Sequence, residues 1–148
     1  LDIANKIRDQ ELPEGYLVEI LSGNLDNNGN LISPGDWDFW YVDTSAQNIK
    51  YLNVIVNYDG TASYRDPHGA IDLNKIPDYT SAAEWIKRAD QAMKENNYNF
   101  VNRYIQVFAP DYCPPYVGIY YDYPHEGIPY VCVWLNADTN EFIEFDFL

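Results

Sequence analysis

Apolar and polar positions follow two different periods along this chain. In the first dozen residues Ile3, Ala4 and Ile7 share one helical face with Lys6, Arg8 and Asp9 opposite, and Pro13 and Gly15 close the segment, so the period of 3.6 predicts a short helix. From Tyr16 the period becomes two. Tyr16–Leu21, Trp37–Asp43, Lys50–Asn57 and Thr61–Arg65 read as strands, the last two joined by a tight turn at Tyr58-Asp59-Gly60. In the third, Leu52, Val54 and Val56 face one way and Tyr51, Asn53, Ile55 and Asn57 the other. The helical period returns after Ser81-Ala82-Ala83-Glu84, which has the form of a capping box. Trp85, Ile86, Ala89, Ala92 and Met93 make its apolar stripe, ending at Asn96-Asn97, as expected of a helix packed on a sheet. Strands follow at Phe100–Phe108, Tyr116–Tyr123, Pro129–Ala137 and Glu141–Phe147. In the last, alternation points Ile143, Phe145 and Phe147 at the core and Phe142, Glu144 and Asp146 away from it.

The pattern repeats. Tyr51-Leu52-Asn53-Val54-Ile55-Val56-Asn57-Tyr58-Asp59 returns as Tyr130-Val131-Cys132-Val133-Trp134-Leu135-Asn136-Ala137-Asp138, a constant shift of 79 residues. The same shift lays Trp37–Asp43 on Tyr116–Asp122, with Tyr41 and Asp43 meeting identical residues, and lays Ala4 and Ile7 on Ala83 and Ile86. A tandem duplication explains this. The expected fold is α+β: a helix plus a four-stranded antiparallel sheet, made twice, with the helices packed on one face of the sheets. Residues 1–67 form the first repeat, 80–148 the second, and 68–79, with Gly69, Pro77 and no clear period, the linker.

Composition narrows the function. A chain of 148 residues that is 47% hydrophobic, with 14 Tyr, can bury a core and suits a sheet. A net charge of −14 argues against nucleic acid or an anionic membrane surface as partner, since both would repel it; the same acidity also serves simply to keep an exported protein soluble. No apolar run is long enough for a transmembrane segment. The chain opens at Leu1, directly inside a helical pattern, which reads as a mature or trimmed fragment and hints at export. Cys113 and Cys132 are too few for a disulfide scaffold and lack metal spacing. Cys132 reads as a buried small side chain, with a Cys113–Cys132 bridge as the minority alternative because the strand register sets them out of step.

Candidate chemistry is sparse. His68 and His125 have no partner at ligand spacing. Asp26, Asn28 and Asn30 match the first three ligands of a calcium loop, but Leu31 stands where that loop needs Gly and Trp37 where it needs a bidentate Glu, so an Asn/Gly turn is the reading. No nucleophile elbow, phosphate loop or dinucleotide fingerprint is present. Carboxylates such as Glu141, Glu144 and Asp146 leave a hydrolase as the least favoured reading. No catalytic residue, metal ligand or cofactor is assigned. Aromatic residues on the strand face opposite the core stand out instead. With Val131, Val133 and Leu135 inside, Tyr130 and Trp134 lie outside, joined by Tyr116 and Tyr120 across Gly118; the equivalent first-half positions are Trp37, Phe39, Tyr41, Tyr51 and Ile55. Tyr and Trp among Asp and Asn compose binding surfaces. The alternative is that these rings pack the halves together or pair across strands.

A helix, the aromatic strand Trp37-Asp38-Phe39-Trp40-Tyr41-Val42 and a hairpin ending in Val54–Gly60 resemble the repeat of PepSY-like domains. Val131-Cys132-Val133-Trp134-Leu135-Asn136-Ala137-Asp138-Thr139-Asn140-Glu141 is similar to that family's terminal hairpin, with Asn140 where Gly is usual. A tandem pair resembles β-lactamase-inhibitor-like proteins. The resemblance implies an extracytoplasmic bacterial protein, periplasmic, surface-bound or secreted and often held by a lipid anchor, here upstream of Leu1, that binds or inhibits another protein without catalysis. A carbohydrate-binding module is the alternative, since exposed Trp and Tyr also stack on sugar rings.

Overall fold

The computed structural model describes residues 1–67, 74–79, 81–109, 115–125 and 128–148, of which 123–125 and 128–129 are described by backbone alone. His68, Cys113 and the first half of the proposed linker (68–73) therefore lie outside the described residues, as does the side chain of His125. Helix α1 (Asp2–Glu11) is followed by strands β1 (Tyr16–Ser22), β2 (Asp36–Asp43), β3 (Lys50–Asn57) and β4 (Ala62–Arg65). Helix α2 (Ala83–Glu95) then leads into β5 (Arg103–Phe108), β6 (Tyr116–His125), β7 (Ile128–Asn136) and β8 (Phe142–Phe147).

The expectation of two four-stranded units is wrong. All strands join in one eight-stranded antiparallel sheet ordered β4-β3-β2-β1-β5-β6-β7-β8. The seam is β1 against β5, which pairs Glu19 with Phe108, Ile20 with Val107 and Leu21 with Gln106. Separate sheets would leave β1 and β5 as edges with unpaired backbone groups, and joining them removes both edges. Side chains extend this short ladder. Ser22 Oγ accepts the Ile105 amide at 2.8 Å, Gln106 Nε2 donates to Glu19 Oε1 at 2.7 Å, and Asn24 Nδ2 donates to Asn102 Oδ1 at 2.9 Å.

Both helices cover the same face of the sheet, α1 over β3 and β4, α2 over β6, β7 and β8. Between them lies the core, including Leu17, Ile20, Phe39, Val54, Ile105, Ile119 and Val133. Ile76, fully buried, closes it over β1 through its amide bond to the Leu17 carbonyl at 2.9 Å.

Helix α2 ends where its sequence says it should. Asn97 takes φ 58°, Tyr98 donates its amide to the Met93 carbonyl and Asn97 donates to that of Lys94, which is the Schellman arrangement with Asn in the left-handed position. Its start departs from expectation: the N-cap is Ala82, without a side-chain cap bond, and Ser81 Oγ accepts only the Ala83 amide at 3.2 Å. Glu84 instead turns toward Lys87, 3.9 Å away. Strand β8 also corrects the alternation. A register shift between Trp134 and Leu135 sets Phe142 opposite Leu135, so Phe142 packs on the core with Phe145 while Ile143 is exposed.

The constant shift of 79 residues holds for β3 and β7, where Leu52, Val54 and Val56 correspond to the buried Val131, Val133 and Leu135. It fails for β6. Tyr41 pairs with Leu52 on β3, whereas Tyr121, not Tyr120, pairs with Val131 on β7. A slip of one residue sends every side chain of a strand to the other face.

Candidate functional site

That slip decides which aromatics meet. Tyr41 is fully buried on the helix-bearing face, its hydroxyl donating to Asn5 Oδ1 of α1 at 2.8 Å. Trp37 shares that face, stacked on Phe39 with ring centres 6.2 Å apart. Neither reaches the opposite surface, which corrects their assignment to an outward layer. Tyr121 is the counterpart of Tyr41, its hydroxyl 2.8 Å from Asp90 Oδ1 of α2. Arg103 completes this cluster with Nη2 2.7 Å from Asp90 Oδ2 and Nε 3.1 Å from Oδ1. Burial, then the neighbouring Asp90 carboxylate, pushes the Tyr121 phenol far above its ordinary value. These groups hold a helix to a sheet.

The face without helices carries the remaining candidate rings. Cross-strand pairing aligns Tyr104 with Tyr120, Tyr120 with Cys132, Gly118 with Trp134, and Asp122 with Tyr130. Tyr116, Tyr120, Tyr130 and Trp134 thus fall on one face, with Tyr116 and Tyr130 toward opposite ends of the β6–β7 pair, and Tyr51 lies on the same face at the far side of the sheet, beside Asn53 and Ile55 on β3. Alternation along β5 also delivers Tyr104, Gln106 and Phe108, which the sequence reading passed over although Arg103, Ile105 and Val107 on the core side signal them.

Gly118 makes the layer possible. A Cβ there would stand 2.8 Å from Trp134 Cζ3 and 3.0 Å from Tyr120 Cε2, so only hydrogen lets the indole settle onto the strand. Trp134 meets Tyr120 and Phe108 edge-on, with ring centres 5.9 and 5.7 Å apart, the arrangement aromatic quadrupoles favour. Tyr120 donates its hydroxyl to Gln106 Oε1 at 3.0 Å, and Gln106 in turn donates to Glu19. Tyr104 donates to Asp122 Oδ2 at 3.2 Å, an oxygen shared with Asn102 Nδ2. Polar tips are thereby tied down while ring surface remains presented, Tyr130 being 45% exposed.

Cys132 is a free thiol buried under this layer. Burial raises it well above its ordinary value, with Asp146 adding to the effect, which disfavours the nucleophilic thiolate. In the turn after β1, Asp26 Oδ1 accepts the amides of Asn28 and Asn30 at 2.8 and 2.9 Å, and its carboxyl is held low by Asn30. The Asp26 oxygens are thus spent on closing the turn. Among the described residues no group of three His, Cys, Asp or Glu side chains could hold a metal ion, and no helix is long and apolar enough to cross a membrane. No protein-family model, curated protein or solved structure matches the chain.

Proposed function

We propose that the chain is a non-enzymatic protein-binding module working outside the cytoplasm, with the helix-free sheet face around Tyr116, Tyr120, Tyr130 and Trp134 as its contact surface. The observation that carries this is an aromatic layer, ordered by Gly118 and by hydroxyl bonds, on the face opposite both helices. Rings with few rotatable bonds give large contact area at small entropic cost, and they dominate binding energy where they are central in an interface. Affinity capture from envelope and secreted fractions, with the wild-type chain beside a Tyr130→Ala/Trp134→Ala variant, tests it. A protein retained by the first and lost by the second, with circular dichroism unchanged, is the expected result. Truncation of one anchor of this kind costs about 2 kcal/mol or more. Equal retention by both removes the face from the reading, and Trp fluorescence responding to oligosaccharides with no protein retained replaces it by glycan binding.

A further inference from the structure

Charge is distributed unevenly between the two faces. The chain has nine Lys and Arg. Lys6 and Arg8 stand on α1, Lys87, Arg88 and Lys94 on α2, and Arg103 turns to Asp90 beneath α2; Lys50 opens β3 with the sidedness of Leu52, and Lys75 lines a depression with Arg8 of α1. Strand register sets one, Arg65, on the helix-free face, at the β4 edge, where it donates to Asn53 Oδ1 at 2.8 Å and covers the Trp40 ring. Carboxylates on that face run the full width of the sheet: Asp38 beside Asn53, Glu19 beside Gln106, Asp122 beside Tyr104, and Glu144 and Asp146 opposite Trp134 and Cys132. Among the described residues of the aromatic half, no Lys or Arg shares that face with Asp122, Glu144 and Asp146. A shallow depression of about 430 Å³ opens there, lined by Leu21, Gln106, Tyr104, Tyr120 and Tyr130 among others. Asp122 lies at one side, and Asp146 is close enough to raise the Tyr120 phenol, after burial and Cys132.

From this we infer that the surface takes a basic segment of a protein partner, with an Arg or Lys side chain seated among Tyr104, Tyr120 and Tyr130 and its charge met by Asp122 and Asp146. Ring faces attract a cation through their quadrupole, and a carboxylate rim of one sign speeds association with a partner of the opposite sign and rejects acidic ones. The inference rests on the protein-binding reading of this face and adds the chemistry of the partner.

The test is a nuclear magnetic resonance titration of the full chain with tetra-arginine amide and, separately, with its tetra-citrulline counterpart, which has nearly the same shape and no charge. Shifts confined to Tyr104, Tyr120, Tyr130 and their strand neighbours are expected, at least tenfold tighter for the arginine peptide and weakened as salt rises from 50 to 500 mM. Asp122→Asn/Asp146→Asn should lose most of that preference, while Glu84→Gln/Glu95→Gln on α2, removing the same charge from the other face, should not. Equal binding of the citrulline peptide at the same residues overturns the basic partner and leaves the aromatic face standing. Shifts spread over both faces, or none at all, also overturn it. A partner captured through Trp134 whose affinity ignores salt overturns the inference alone, whereas capture that survives Tyr130→Ala/Trp134→Ala defeats the underlying reading.

Discussion

At the scale of single residues, two positions bear more than their neighbours. Arg103 is held between the Asp90 carboxylate and the Leu25 carbonyl, with both members of the ion pair nearly excluded from water. Removing one partner of such a pair strands the other charge, so Arg103→Ala should cost about 3–5 kcal/mol in urea unfolding. Arg103→Met/Asp90→Leu, which removes both charges, should be clearly less destabilised than the single variant; equal losses would show that the pair does not act as a unit. Gly118 is the second. Gly118→Ala puts a methyl group 2.8 Å from the indole of Trp134 and should cost about 1–3 kcal/mol through overpacking, with a change in Trp emission as the ring lifts. Gly118 was legible in the sequence as a gap between Tyr116 and Tyr120. Arg103 was not, because its partner sits on a helix thirteen residues away and nothing local announces that the two meet.

At the scale of elements, the inner and outer sides of most strands follow from their own alternation, while their neighbours do not. Leu52, Val54 and Val56 face the core because three apolar residues recur at a period of two, and Tyr130 and Trp134 face away for the same reason. The turns were also legible: Gly60 has φ 83° and Asn140 φ 59°, residue types for which left-handed backbone is least costly. What failed was extrapolation between halves. A shift of 79 residues turns Tyr41 and Trp37 outward, but the true offset between β2 and β6 differs by one, and a bulge between Trp134 and Leu135 reverses Phe142 and Ile143 relative to strict alternation. The seam strand β1 has neighbours on both sides, so every amide in its paired region serves one ladder or the other. Ile20→Pro removes the donor that alternation turns toward β5 at the seam, since Gly23 donates to Asp36 on the β2 side. It should destabilise the chain more than Ile20→Ala does, with accelerated hydrogen exchange on both sides of β1; an effect no larger than that of Ala would mean that the seam contributes little.

At the scale of the whole molecule, one sheet with both helices on one side makes a single core. Urea unfolding should therefore give one transition, with Trp fluorescence and far-ultraviolet circular dichroism coinciding and a slope of about 1–3 kcal/mol/M. Two separated transitions would mean that the halves unfold independently despite the seam. The same one-sided arrangement produces the candidate site, since a helix-free face eight strands wide can present Tyr104, Tyr120, Tyr130 and Trp134 together. By itself the sequence determined the succession of helices and strands, the turn positions and the sidedness of most strands, because those depend on steric preferences and periodicities within a few residues. Only the tertiary structure decided that the halves share one sheet, that Tyr121 rather than Tyr120 is buried, and that Arg103 belongs to Asp90. Each of these depends on which strand edge or helix lies opposite, and that contact is made between residues far apart in the chain.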